Sequence, residues 1–116
     1  MFGDPRDIPH LTGRLIELER QIGDLRLEQA VIVNQLERGQ AHLGDASRTI
    51  TEYVQARADI SPGTARDLVF AARTLGRHRA VNLRAIDHRM SFDRTTATLR
   101  HLEAGATAED VQRSYD

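Results

Sequence analysis

The chain contains no cysteine and no tryptophan, and aromatic residues make up only 4% of its 116 positions. The missing cysteines exclude disulfide bonds and thiolate metal sites. With so few aromatics, the core has to be built from Leu, Ile, Val and Ala, which favours packed helices over a sheet. There is no recognisable signal peptide, and no apolar run approaches the ~18 residues of a membrane span. We therefore expect a cytoplasmic protein without membrane contact.

Lysine is absent too, and all 16 basic residues are arginine. Residues 1–46 carry eight acids and five arginines, whereas residues 57–101 carry nine arginines and four acids. Arginine is the better reader of phosphates and base edges, but a GC-rich genome gives the same enrichment without any role in binding. The formal net charge of −1 argues against a strongly basic nucleic-acid binder. Charge alone leaves nucleic-acid binding open.

The length and patterning predict one small helical domain. Residues 1–10, with two prolines and a glycine, read as a flexible lead-in. A long amphipathic helix follows over 11–40, then a loop over 39–45 and a compact helical domain over 45–116. No segment alternates with period two, and no hairpin turn signal is present. The predicted fold is all-α, with about six helices of which the first is the longest.

An apolar seam with a heptad repeat runs along the long helix. Its members lie seven residues apart in two interleaved rows: Leu11, Leu18, Leu25 and Ile32, then Leu15, Ile22, Gln29 and Leu36. One interpretation is a dimeric coiled coil, in which the polar Gln29 helps to set the register. The other is a helix packed on its own domain, because Ile16, Leu27, Val31 and Val33 widen the apolar surface beyond the seam. Both interpretations satisfy the same need for burial.

Residues 49–76 resemble a helix-turn-helix unit. Thr49 and Glu52 have the spacing of a capping box, which predicts the start of a first short helix. Ser61 is suited to the N-cap and Pro62 to the first turn of a second helix. We expect Gly76 to end that helix in the left-handed conformation.

Arginines on this second helix suggest contact with double-stranded DNA. The candidate nucleic-acid-binding residues are Thr64, Arg66, Arg73 and Arg77. Arginine side chains bridge guanine edges or neutralise phosphates. Asp67 counts against a groove-reading helix, because its carboxylate repels phosphate. The alternative is a plain structural role for the two helices, since short helices joined by tight turns build many helical domains.

The remaining helices follow from caps and apolar spacing. One is predicted over 79–89, with Leu83, Ile86 and Met90 buried in the core. Another is predicted from Ser91 as N-cap to Gly105, and a last short one begins at Thr107.

Catalytic signatures are missing from the sequence. The five histidines show no i,i+4 pairing and have no cysteine partners, so the familiar zinc spacings do not occur. The pair Asp87-His88 lies inside a predicted helix, without the later residues that complete a metal-dependent nuclease motif. No glycine-rich phosphate loop and no serine elbow is found. We expect a protein that is not an enzyme and that has no cofactor and no metal site.

From about residue 35 to residue 116, the chain resembles the actinobacterial domain-of-unknown-function family 222, the helical repeat of mycobacterial repeat proteins. The motifs that carry the resemblance are Ile60–Arg66 (ISPGTAR), Ala71–Leu75 (AARTL), Met90–Arg94 (MSFDR), Gly105–Val111 (GATAEDV) and Ser114–Asp116 (SYD). In that family the helical region commonly precedes an HNH nuclease module. The sequence ends before such a module, so neither the nuclease activity nor its metal ligands are carried over.

The sequence therefore predicts a non-catalytic helical module that binds or positions DNA, as part of an HNH-nuclease-type repeat protein lacking its nuclease domain. A second hypothesis is a protein–protein interaction module that forms a homodimer through the seam at 11–36. A third is an inactive remnant of a mobile repeat element.

Overall fold

The computed structural model describes residues 7–45 and 47–105, and within these ranges it contains six α-helices and no strand. The helices are α1 (Ile8–Arg38), α2 (Ala41–Gly44), α3 (Ile50–Ala58), α4 (Pro62–Thr74), α5 (Arg79–Ile86) and α6 (Phe92–Glu103), with a 3₁₀ turn over Leu75–Arg77. The all-α prediction with a long first helix is confirmed. The helix predicted to begin at Thr107 lies outside the described residues.

Helix α1 begins earlier than the sequence suggests. Asp7 is its N-cap, and the carboxylate of Asp7 accepts a hydrogen bond from the backbone N–H of His10 at 3.3 Å. Pro9 falls in the first turn, where a missing N–H costs no helical hydrogen bond. The end of the predicted lead-in is therefore helical. With 31 residues, α1 is about 46 Å long at 1.5 Å per residue.

Side-chain caps start α3 and α4 where the sequence places them. The Thr49 hydroxyl accepts from the N–H of Glu52 at 3.1 Å. The Glu52 carboxylate reaches back to the N–H of Arg48 instead of that of Thr49, so the capping box is shifted by one residue. The hydroxyl of Ser61 likewise accepts from the N–H of Thr64, and α4 begins at its predicted position.

Helix α4 lies at the centre of the core. Ala65, Leu68, Val69 and Ala71 on α4 are almost completely buried. They form one apolar cluster with side chains of the surrounding helices, namely Ala30 and Val33 of α1, Ile50 and Val54 of α3, and Phe92 and Leu99 of α6. Because other helices enclose α4 on several sides, only a narrow stripe of its surface is exposed.

Three local predictions are wrong. The segment predicted as a loop over 39–45 contains the short helix α2, which follows Gln40 in the left-handed conformation (φ 55°). Gly76 does not adopt a left-handed conformation, because α4 tightens into the 3₁₀ turn over Leu75–Arg77. Helix α5 stops at Ile86 and not at residue 89.

The inward face of α5 also differs from the prediction. Val81 and Ala85 are buried, whereas Leu83 and Ile86 are about half exposed. The two smaller residues lie one helical turn apart and let α5 approach the core closely. Gly105, by contrast, follows α6 with a positive φ of 101°, a conformation that glycine commonly adopts just after a helix.

Candidate interaction surfaces

Helix α1 has two distinct apolar faces. Ala30 and Val33 are buried against the domain, and Leu27 and Asn34 beside them are partly buried. Asn34 also donates from Nδ2 to the backbone carbonyl of Ala72 on α4, at 3.1 Å. With about 100° of rotation per residue, this face lies about a third of a turn around α1 from the heptad seam. The domain therefore packs beside the seam and does not cover it.

Most of the seam is exposed. Its uncovered members range from 39% exposure at Leu18 to 67% at Leu15, and they also include Ile22, Leu25 and Ile32. Leu11, Gln29 and Leu36 are partly buried, and Leu36 contacts the core cluster. The seam is consequently not the face by which α1 joins its own domain.

Two of the predicted DNA-contacting arginines are held by carboxylates from other helices. Arg73 donates from Nε to Glu37 of α1 at 3.0 Å, and a second bond from the same guanidinium makes the pair bidentate. Arg77 donates to Glu103 of α6 at 2.7 Å. These bonds from arginine lower the pKa of Glu37 and of Glu103, with His78 adding a second contact at Glu103. Both arginines therefore already have anionic partners.

Asp67, which counted against DNA binding, is itself neutralised. It accepts a hydrogen bond from Arg100 of α6, and the guanidinium of Arg100 lies 5.1 Å from the ring centre of Phe70. The charge repulsion expected from Asp67 is reduced by this pairing.

Arg66 and Thr64 lie on different sides of α4. Arg66 is exposed and has no ion-pair partner within residues 7–45 and 47–105. Thr64 lies about 200° away around α4, where its hydroxyl accepts from Ser61 Oγ at 2.9 Å. Arg66 and Arg73 are seven residues apart and lie on the same exposed side of α4, whereas Thr64 lies on the opposite side. The structure thus does not bring all four predicted residues together at one surface.

A groove between α1, α4 and α5 gathers a different arginine set. Arg73 and Arg77 lie along it, together with Arg38 at the end of α1, which the sequence analysis did not single out. The groove has a volume of about 720 Å³, and it is also lined by the amide residues Asn34, Gln35 and Asn82 and by the acidic Glu28. Arg38 joins this set only through tertiary packing of α1 on α4, so sequence spacing carries no signal of it.

His88 of the Asp87-His88 pair contacts helix α1. His88 adopts a left-handed conformation (φ 61°), and its Nε2 lies 2.7 Å from a carboxylate oxygen of Asp24 on α1. Among the described residues, no three His, Asp or Glu side chains are grouped as metal ligands. In that same part of the chain, no helix is long and apolar enough to cross a membrane.

Comparison with known proteins identifies no relative. No protein-family model, no curated protein and no solved structure matches the chain. The resemblance to domain-of-unknown-function family 222 therefore stays a prediction from the sequence motifs, and function has to be argued from the surfaces described above.

Proposed function

We propose that this chain is a non-catalytic helical interaction module that self-associates through the heptad seam of α1. The observation that carries the proposal is the exposure of Leu15, Leu18, Ile22, Leu25 and Ile32 along one line of a helix whose other face is packed. Single exposed apolar residues are ordinary on protein surfaces. A continuous row with a period of 3.5 residues is the pattern by which two helices pack together.

The composition of the seam is compatible with a two-stranded coil. Its two rows correspond to the a and d positions of a heptad, with Leu15, Ile22, Gln29 and Leu36 at a. The d row contains three leucines and Ile32, and leucine at d is compatible with pairs of helices. A single polar residue at one a position commonly fixes register and oligomeric state.

Sedimentation equilibrium over a range of protein concentrations tests this proposal. The wild-type chain is expected to approach the mass of a dimer as concentration rises. A double variant, Ile22→Glu with Leu25→Glu, is expected to remain a monomer, because it places like charges at the helix contact. Val31→Glu is the matched control: Val31 is as exposed as Leu25 but lies off the seam. A wild-type chain that stays monomeric at every concentration contradicts the proposal.

DNA binding is the second candidate, and the groove supports it. Arg38, Arg73 and Arg77 line it together with three amide residues, a set suited to backbone phosphates. Phosphate would have to replace Glu37 and Glu103 as the partner of two of these arginines. That exchange reduces the gain from each contact, so this candidate ranks below self-association.

A salt titration of binding to a generic duplex tests the second candidate. If DNA binds in the groove, its affinity is expected to fall steeply as the salt concentration rises. The double variant Arg38→Ala, Arg73→Ala is expected to reduce the slope of log affinity against log salt concentration by about one for each phosphate contact that is lost. Arg20→Ala, an exposed substitution on the first half of α1, is the control. If all these variants bind the duplex with the affinity of the wild type, the groove is not a nucleic-acid site.

A further inference from the structure

We infer that the two α1 helices of the dimer run parallel and in register, so that both helical domains lie toward the same end of the coil. This inference rests on the proposed self-association and adds the orientation and alignment of the partner. Three observations carry it: the position and bonding of Gln29, the charges beside the seam, and the side of α1 to which the domain is attached.

Gln29 is the polar member of the seam, and only one orientation pairs it with itself. In a parallel, in-register pair, an a position faces the same a position of the second helix. The Oε1 atom of Gln29 already accepts a hydrogen bond from Arg26 at 2.9 Å. Its amide N–H groups therefore remain to donate to the other Gln29. In the antiparallel pair with full overlap of the seam, Gln29 faces Leu18, which offers no acceptor.

The charges beside the seam also match in the parallel arrangement. In a parallel coiled coil, the residue immediately before an a position lies close to the residue of the other helix whose number is five higher. Arg14 thereby meets Glu19 of the other copy, and the two-fold axis repeats the pair. Arg14 and Glu19 are both exposed, and neither has an ion-pair partner within residues 7–45 and 47–105. Both are consequently available to a second copy.

The antiparallel arrangement has one attractive pair of its own, between Glu19 and Arg26. That pair competes with the bond from Arg26 to Gln29 seen in the structure. If Arg26 pairs with Glu19 instead, the side-chain carbonyl of Gln29 loses its hydrogen bond from Arg26. In the antiparallel pair this carbonyl faces Leu18, which cannot replace that bond. The side-chain bonds present in the monomer therefore favour the parallel pair.

The attachment of the domain leaves room for a parallel partner. The domain covers Val33 on one flank of the seam. The residues along the other flank are all exposed: Arg14, Gln21, Glu28 and Gln35. A two-fold axis parallel to the helices places the two domains on opposite sides of the coil. The flank of each α1 that carries its own domain then faces the open flank of the partner helix.

Disulfide formation between introduced cysteines tests the orientation, and the absence of natural cysteine makes the result easy to read. In the parallel pair, Leu18 faces its own copy, so Leu18→Cys is expected to give a covalent dimer under mild oxidation. In the antiparallel pair, Leu18 faces Gln29 of the other copy. A disulfide is then expected only when Leu18→Cys chains are mixed with Gln29→Cys chains. Cysteines join only when their Cα atoms approach within about 7 Å. Val31→Cys, off the seam, is the control.

The outcomes separate this inference from the proposed function. Rapid linkage of Leu18→Cys alone supports the parallel pair. Linkage between Leu18→Cys and Gln29→Cys chains, without linkage of Leu18→Cys to itself, overturns the orientation but leaves self-association standing. A dimer mass by light scattering with no linkage at either position overturns the in-register seam contact. A monomer mass overturns the proposed function itself, and the inference with it.

Discussion

Truncation of Leu25 to Ala measures the contribution of the seam. Leu25 lies in the middle of the exposed row. Alanine has the highest helix propensity, so the change does not weaken α1 itself. Because the Leu25 side chain is 59% exposed in the monomer, its loss has little effect on the packing of a single chain.

The expected magnitude follows from the exposed fraction of Leu25. The substitution removes three carbon atoms, each contributing about 0.8 kcal/mol when fully transferred from water. Scaling by the 59% that the dimer would newly bury gives about 1.4 kcal/mol per copy, and about 2.8 kcal/mol for the two copies. A loss of about 2.8 kcal/mol raises the dimer dissociation constant by about 100-fold.

Sedimentation equilibrium gives the dissociation constant for wild type and variant, and urea unfolding of dilute protein gives the stability of the monomer. The control is Val31→Ala, at a side chain that is 60% exposed but lies off the seam. We expect this control to leave the dissociation constant unchanged. Equal weakening by both substitutions would refute the reasoning, because exposure in general, and not the seam, would then determine association.

Other predictions concern the stability of the fold. Leu68→Ala is expected to cost about 3 to 5 kcal/mol in urea unfolding, because Leu68 is fully buried at the centre of α4. Thr49→Ala removes the α3 cap and is expected to cost about 1 kcal/mol in the same assay. Gly13→Ala is expected to raise the stability of α1 by up to about 1 kcal/mol, seen by circular dichroism on heating, since a Cβ there meets nothing within 4 Å. The bond from Arg73 lowers the pKa of Glu37, so the pair stabilises the fold above the ordinary Glu pKa and loses this effect as pH falls through the lowered value. Glu37→Gln is expected to cost less than about 1 kcal/mol at neutral pH, given the exposure of the pair, and to flatten this part of the acid-unfolding profile.

Local features of the fold could be predicted from sequence because their causes are local. Thr49, Ser61 and Ser91 cap helices through hydrogen bonds to residues three positions later. Gly76 and Leu83 were assigned wrongly for the opposite reason. The 3₁₀ turn and the inward face of α5 depend on how the helices pack, which no short pattern contains.

In the candidate site, too, the local features could be predicted from sequence and the features that depend on tertiary packing could not. The period of the seam is visible in the sequence, whereas its exposure depends on which face of α1 the domain occupies. The arginines of α4 were visible as a row, but their partners were not. Arg73 and Glu37 are 36 positions apart, and Arg77 and Glu103 are 26 apart, so only the folded chain shows that they pair.

The continuity of α1 has a consequence for binding strength. One uninterrupted helix carries the seam and also packs on α4, and the ion pair between Arg73 and Glu37 joins the two helices near its end. Dimerisation would therefore hold two copies of every domain surface at a fixed spacing. A groove with only weak affinity for a repeating polymer such as DNA would then act as half of a bivalent site. Its second contact would form at a high effective concentration, and occupancy would depend on the spacing as much as on either groove.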